Sequence, residues 1–335
     1  MKKTLLPLAL FCVPMVSMAD VSVYGRAHVS VDWLDNGADY SAVNLVSNGS
    51  RLGFKANHVM GDLTAMVQIE QQVDYDAGEA FTSARDTFIG LKGNFGMVRA
   101  GRFDTPFKRA RNLANLFGDQ LGDMRNLTRV GNARFDERNA NTLHYQTPAL
   151  GPVQFNVAYS ISESLTNEEE LDDDVISLSA TFSQGALEMA AAYESYSEDH
   201  SRGERDGVRF SARYGVNDAL ALVAFAQTVD HTDSEALSSD VFGLGSEYKL
   251  TTKTLVRGMW LTRSAEADNS DANLVALGVE YRIDKPLRVY ANVALADNDE
   301  LSALTPYTQG RTVSGISAAP GETASGLSVG VRYDF

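Results

Sequence analysis

A transmembrane antiparallel β-barrel of the up-and-down kind, all-β with about sixteen strands, is the fold this sequence predicts, and three observations predict it. Short segments with period-2 alternation of apolar and polar residues recur along the whole chain. The connections between them alternate between short turns and long polar loops, as expected of a barrel with turns on one side of a bilayer and loops on the other. The segment Ser325 to Phe335 reads SGLSVGVRYDF and alternates up to its final ring. Leu327, Val329, Val331, Tyr333 and Phe335 share one face of it, and Ser328, Gly330, Arg332 and Asp334 share the other.

The N-terminus supplies a matching address. Lys2 and Lys3 precede the apolar run Leu5 to Val16, which is too short for a mature membrane helix, and Ser17-Met18-Ala19 is a small-x-small cleavage site. The expected division is therefore a signal peptide over 1–19 and one barrel domain over 20–335, in the bacterial outer membrane. Cys12 is the single cysteine; the bulky Phe11 before it argues against lipid attachment there. Removal of the leader leaves no thiol, which excludes disulfides, thiolate chemistry and cysteine-based metal sites. The full sequence holds 29 Lys and Arg against 44 Asp and Glu, a net of −15, and losing Lys2 and Lys3 makes it −17. Nucleic-acid binding needs a basic face, so no nucleic-acid partner is expected. No mature stretch approaches 18 consecutive apolar residues, so any membrane crossing is by strands.

The elements follow in order. Val21, Val23, Ala27, Val29, Val31 and Trp33 alternate with Tyr24, Arg26, His28, Ser30 and Asp32. Leu63, Ala65, Val67, Ile69, Val73 and Tyr75 alternate with Thr64, Gln68, Glu70, Gln72 and Asp74. The same pattern returns over Val153–Ile161, Val275–Arg282 and Arg288–Leu295. Turn-like connections fall at Val59–Asp62, Gly93–Gly96, Thr147–Pro152, Gln184–Ala186, Val216–Asp218, Leu250–Lys253 and Ile283–Pro286. Glu163–Asp174, Ser197–Asp206 and Asn298–Ser325 are long and polar. The fourth, fifth, eleventh and thirteenth strands alternate poorly, which leaves the count a margin of two. Outward tyrosines at one level near the short turns (Tyr145, Tyr214, Tyr248, Tyr281, Tyr333) and aromatics near the loops (Trp33, Tyr75, Tyr159, Tyr193) predict two interfacial girdles.

The longest interruption follows Gly101-Arg102-Phe103-Asp104 and ends near Arg138. Compact folds rarely leave so long a connection unstructured, and Phe107 to Phe117 has helical character with apolar residues that need a surface to pack on. In a barrel, such a loop can fold inward and narrow the channel.

The chain resembles the Gram-negative general diffusion porins of the neisserial and comamonad type. The resemblance rests on VSVYGRAHVSVDW, SRLGFKA at Ser50–Ala56, RDTFIGLKGNFGMVRAGRFDTPFKRA at Arg85–Ala110, LFGDQLGD at Leu116–Asp123, FDERNANTLHYQTP at Phe135–Pro148 and the C-terminal strand. It is strong in the first 150 residues and at the end, and weak between. It implies a sixteen-stranded homotrimer, each protomer with its own pore, with residues 104–137 as the constriction loop.

A constriction of this kind sets loop acids against wall bases across a narrow slot, where a transverse field is weakly screened. The loop candidates are Asp104, Asp119 and Asp123. Lumen parity selects Arg26, His28, Arg51 and Lys55 for the wall; Arg138 begins the sixth strand, and Arg102 ends the fifth, where parity is ambiguous. A lumenal arginine sits in water, whereas facing lipid at mid-depth it would cost roughly 2–4 kcal/mol. Arg109, Arg111, Arg125 and Arg129 lie in the loop too, where pairing with Asp119, Asp123, Asp136 or Glu137 would hold its shape. The acidic run Glu168–Glu170 and Asp172–Asp174 suits either divalent cations bridging lipopolysaccharide or a plain solvated loop; it lacks EF-hand spacing. The five histidines show no paired metal spacing, and no cofactor is implied.

The expected function is passive diffusion of small hydrophilic solutes and ions through a water-filled outer-membrane channel, with lipid and lipopolysaccharide as neighbours. A substrate-specific channel would use a ladder of lumenal aromatics, and the lumen-parity ones are scattered (Tyr24, Tyr196, Tyr290). A barrel enzyme would need a nucleophile and base, or paired carboxylates, at one level; His144 is lumenal by parity, but no motif ties it to a Ser or Asp. An adhesin or structural barrel would need no long inward loop. The sign of the selectivity does not follow from the sequence.

Overall fold

Alternation of lipid-compatible and polar side chains forces each segment to present two unlike faces, and the chain satisfies both by closing one sheet on itself. The computed structural model describes residues 19–162, 173–313 and 315–335. The expected leader through Met18, and Glu168–Glu170 and Asp172 of the acidic loop, lie outside the described residues.

Eighteen strand segments form the sheet. They are β1 (Ala19–Asp35), β2 (Ser41–Ser47), β3 (Arg51–Met60), β4 (Leu63–Asp74), β5 (Glu79–Ala84), β6 (Thr87–Gly93), β7 (Gly96–Asp104), β8 (Arg138–Gln146) and β9 (Val153–Ser160). The second half comprises β10 (Val175–Gln184), β11 (Leu187–Tyr196), β12 (Arg205–Gly215), β13 (Leu220–His231), β14 (Ser239–Lys249), β15 (Thr254–Ala265), β16 (Ala272–Arg282), β17 (Leu287–Asn298) and β18 (Ala324–Asp334). All pairings are antiparallel, each element lies beside its sequence neighbours, and β1 closes the ring against β18.

Eighteen segments make sixteen staves, because two staves are interrupted. β2 pairs with the upper half of β1 and β3 with the lower half, so together they occupy one position. The break falls at Asn48-Gly49-Ser50, where Gly49 takes a φ of +58°. β5 and β6 likewise share β4 as partner, split at Arg85-Asp86. The sixteen-strand expectation holds.

The two faces separate as the alternation requires. In β1, Val31 and Trp33 are 40% and 47% exposed on the outer face, while Asp32 and Leu34 between them are buried. Tyr145, Tyr214, Tyr248, Tyr281 and Tyr333 are exposed on that outer face near the short turns, and Trp33, Tyr75, Tyr159 and Tyr193 are exposed toward the long connections. An amphipathic ring at each rim matches the two lipid–water interfaces.

Candidate functional site

The connection between β7 and β8 is built from short helical turns with two apolar patches. Thr105 caps the first, its Oγ1 accepting from Lys108 N at 3.2 Å, and Pro106 occupies the first turn of α1 (Pro106–Ala110), where no amide donor is needed. Phe107 N donates to Ser177 Oγ of β10, and Phe107 stacks on Phe135 at 5.0 Å between centroids; both rings are buried with Val175, Ala190, Tyr196 and Val229. A second patch, Leu116, Phe117, Leu121, Met124 and Leu127, is buried against Val223, Phe225, Val241, Met259, Leu261, Leu274, Ala276 and Ala294 of β13 to β17. Gly122 lets this turn lie flat, since a Cβ there would fall 2.4 Å from Ala276 Cβ. Arg257 of β15 donates to Leu116 O at 2.8 Å.

Between the patches the acids are fixed by arginines. Asp136 is fully buried between Arg209 (2.6 Å) and Arg111 (3.1 Å). Asp123, also fully buried, accepts from Asp119 N, Asn115 Nδ2 and Arg125, whose guanidinium reaches both Asp123 (2.6 Å) and Asp119 (2.7 Å). This turn ends in α2 (Arg125–Thr128). Burial alone would raise the Asp119 carboxyl, but the Arg125 guanidinium, with Arg51 and Arg26 beyond it, overrides that and holds it well below the usual carboxylate range. Burial likewise opposes ionisation of Glu137, and Arg129, Arg134 and Arg202 pull it down.

A cavity of about 910 Å³ lies alongside this connection. Its far wall carries Arg26, Arg51, Arg85, Arg138, Arg288 and Arg332. Several wall cations are tied to acids: Arg85 to Glu70 at 2.6 Å, Arg138 to Asp86 and Asp104 at 2.7 and 2.8 Å, Arg26 to Asp334 at 2.9 Å. Arg26 also reaches Asp119 at 3.4 Å, so wall and loop touch across the cavity edge. Among the described residues, fourteen basic and six acidic side chains line it, a local excess of cations inside a chain of net −15.

Six of the nine residues singled out from the sequence meet here: Arg26, Arg51, Arg102, Asp104, Asp119 and Arg138. Arg102 has ambiguous parity because the β7–β8 register shifts between Gly101 and Phe103, with Gly101 at φ +141°. The other three are placed elsewhere. His28 is fully buried on β1, its Nε2 2.9 Å from Tyr290 Oη of β17, and packs against that ring instead of lining the cavity. Asp123 organises the loop turn from beneath. Lys55 lies outside the cavity lining, with its ammonium 4.2 Å from the centre of the Tyr24 ring. Parity finds a face of a strand but not its depth, which accounts for His28 and Lys55; Asp123 is a loop acid of the run GDQLGD, whose spacing does not say which carboxylate the turn buries. Arg85, Arg257, Arg288, Arg311 and Arg332 were missed as site residues; Arg288 and Arg332 carried the parity signal, while Arg311 sits in an irregular connection that offers none.

Residues 6–301 match the Gram-negative porin family. The chain is 29% identical to the major outer membrane protein P.IB of Neisseria sicca over 52% of this chain and 51% of that protein. It is 26% identical to outer membrane porin protein 32 of Delftia acidovorans over the whole of both chains. The chain thus spans about half the length of the neisserial relatives it matches. In fold it is similar to an anion-selective porin from Comamonas acidovorans (TM-score 0.80, 22% identity, 95% of this chain and 100% of that one) and to trimeric OmpT of Vibrio cholerae (TM-score 0.69, 20% identity, 95% and 99%).

Proposed function

Because this chain belongs to the Gram-negative porin family, we propose that it is an outer-membrane channel for passive diffusion of small hydrophilic solutes, that residues 104–137 fold into the lumen as its constriction, and that it prefers anions. The cation excess around the cavity carries the reading. In a narrow slot with low-dielectric walls, fixed guanidinium groups raise the local anion concentration, and arginine stays charged at any relevant pH. The acidic surplus of the chain therefore sits away from the cavity, where salt screens it within roughly 8–10 Å. Asp104, Asp119, Arg26, Arg51, Arg102 and Arg138 are the constriction residues from the original set, joined by Arg85, Arg288 and Arg332.

Transport requires only an open, wet, charged path, with no cofactor and no catalytic group. Among the described residues no aromatic side chain lines the cavity, which favours general diffusion over a sugar channel. The exposed apolar band faces lipid and lipopolysaccharide, and the protein assembles as a homotrimer, in keeping with the trimeric form of the similar Vibrio cholerae barrel.

Purified protein in a planar bilayer should raise conductance in steps grouped by three. In a potassium chloride gradient the reversal potential should carry the sign of chloride preference. A silent bilayer would sink the channel reading, and a potassium preference would remove the assignment of the cavity cations as its filter.

A further inference from the structure

The sequence holds two Asn-Gly steps, Asn36-Gly37 in the turn between β1 and β2 and Asn48-Gly49 at the interrupted stave. A glycine nitrogen has no side chain beside it to keep it off the preceding carboxamide, so such a step is where a chain most readily attacks itself. The two are built differently. At the first, Gly37 N donates to Asp35 Oδ1 at 2.9 Å, so the attacking atom already has a carboxylate on its proton. Asn36 Oδ1 accepts from two backbone amides, Ala38 N at 2.9 Å and Tyr40 N at 3.2 Å. Among the described residues nothing accepts from Asn36 Nδ2. The turn is also held in place. Gly37 has φ +88°, Ala319 N donates to Asn36 O at 3.0 Å, Asn36 N donates to Tyr40 O at 3.1 Å, and a Cβ on Gly37 would stand 2.8 Å from Glu322 Cβ.

At the second step the same residue types are locked. Asn48 is fully buried, its Nδ2 donates to Ser30 Oγ at 2.9 Å, and its Oδ1 accepts from Arg311 Nε at 2.8 Å. Both ends of that amide are held, and water does not reach it. We infer that Asn36 is a self-modification site, where the folded turn converts its own carboxamide to an acid through a cyclic imide. Gly37 N bonds to Asn36 Cγ while its proton passes to Asp35, the catalytic base. The carbonyl electron pair moves onto Oδ1, where the Ala38 and Tyr40 amides stabilise it as oxyanion-hole donors do. As the carbonyl re-forms, the Cγ–Nδ2 bond breaks, and Nδ2 leaves as ammonia with the proton from Asp35. Water then opens the imide at one carbonyl to give aspartate or at the other to give isoaspartate. One water is consumed, one ammonia is released, and nothing is oxidised. Either product adds a negative charge to a turn that already holds Asp35 and Asp39 and lies against Glu322. Isoaspartate also lengthens the main chain between the Tyr40 and Ala319 anchors.

The inference goes beyond the channel reading, and its test needs no conductance. The purified barrel is incubated in detergent, in mildly alkaline buffer made with heavy-oxygen water, and its peptides are read by mass spectrometry. Asn36 should change from amide to acid with heavy oxygen incorporated, roughly tenfold or more faster than Asn48, because only the first turn holds its reacting atoms together. Isoaspartate methyltransferase should label the same peptide. In denaturant, where neither turn exists, the two steps should convert within about threefold of each other. Asp35→Ala, shown to be folded by its heat-modifiable migration, should slow Asn36 roughly tenfold and leave Asn48 as it was. Asn36 that keeps its amide in the folded barrel as long as Asn48 does overturns the inference. So does a preference for Asn36 that persists undiminished in denaturant, since local sequence and not the turn would then set it. Asp35→Ala converting at the wild-type rate overturns the assignment of Asp35 as the base.

Discussion

Asp119 and Asp123 share one arginine and have different work. Asp119 lies at the cavity edge, 3.4 Å from Arg26, where the proposed channel would bring a passing ion into its field. Asp119→Asn should therefore shift the reversal potential further toward chloride; an unchanged potential would remove Asp119 from the filter. Asp123 is fully buried and accepts from two backbone amides and the Arg125 guanidinium. Removing Asp123 leaves Arg125 paired with Asp119 at 2.7 Å but strips the acceptor from the Asp119 and Arg125 amides, at about 1–3 kcal/mol for each buried donor left unpaired. Asp123→Ala should appear mainly as faster amide exchange over residues 119–128, whereas Asp119→Asn should leave that exchange nearly as it is. The pH dependence has a definite sign. Asp119, Asp136 and Glu137 all have carboxyls pulled below their ordinary values by arginines that outweigh burial. A depressed folded value gives stability that is present above the unfolded value and lost as pH falls through the folded one. The loop should thus keep its protease resistance at pH about 4, near the unfolded carboxylate values, and lose it only in stronger acid. Cleavage within 105–137 already at that pH would contradict these pairings.

At the level of elements, the weak strands of the sequence turn out to be the ones that meet the loop or are broken. The eleventh and thirteenth staves, β13 and β15, alternate poorly because Val223, Phe225, Met259 and Leu261 on them are buried in one cluster with Leu116, Phe117 and Met124. A strand face covered by apolar residues of this connection is apolar too, so period 2 fades wherever such packing replaces water. The fourth is split into β5 and β6, and the fifth, β7, carries the shift at Gly101. Turns, girdles and barrel closure were legible because each is local or periodic. The depth of His28 and Lys55 and the burial of Asp123 were not, since they depend on contacts that strand periodicity does not carry. The seat of the loop can be tested on the same logic. Phe117 is fully buried on the β15–β16 wall, so Phe117→Ala should cost about 3–5 kcal/mol of local packing. Increased current noise and new cleavage in 105–137 with the barrel intact would be the signature. Loss of the whole barrel instead would mean that the loop is needed for closure, contrary to an element laid on a finished wall.

The molecule as a whole depends on one seam. A barrel without edges pairs every backbone group within the bilayer, and an opened one exposes groups that cost several kcal/mol each in lipid. The β1–β18 ladder runs from Asp35–Ser325 to Arg26–Asp334, and beyond it Gly25 and Phe335 exchange a reciprocal pair of bonds at 2.8 and 3.1 Å. The Phe335 ring lies over Gly25, where a Cβ would stand 2.4 Å from it and 2.9 Å from Arg51 O of β3. Similar ring-over-glycine packing recurs at Tyr24 on Gly53 and Tyr290 on Gly330, both direct cross-strand partners, so aromatics shield bare backbone around this part of the barrel. The ring can swing away; the carbonyl of Arg51 cannot without disturbing the next stave. Gly25→Val should therefore strain both neighbours of β1 and cost about 1–3 kcal/mol by overpacking. Refolding into detergent micelles isolates closure from cellular insertion. The variant should show a smaller fraction of the compact, heat-modifiable species on unheated gels and a lower melting temperature. Gly215→Ala, whose nearest neighbour would be 3.8 Å away, should match the wild type in both. Equal yields of compact barrel for Gly25→Val and Gly215→Ala would show that the Gly25–Phe335 contact is incidental to closure.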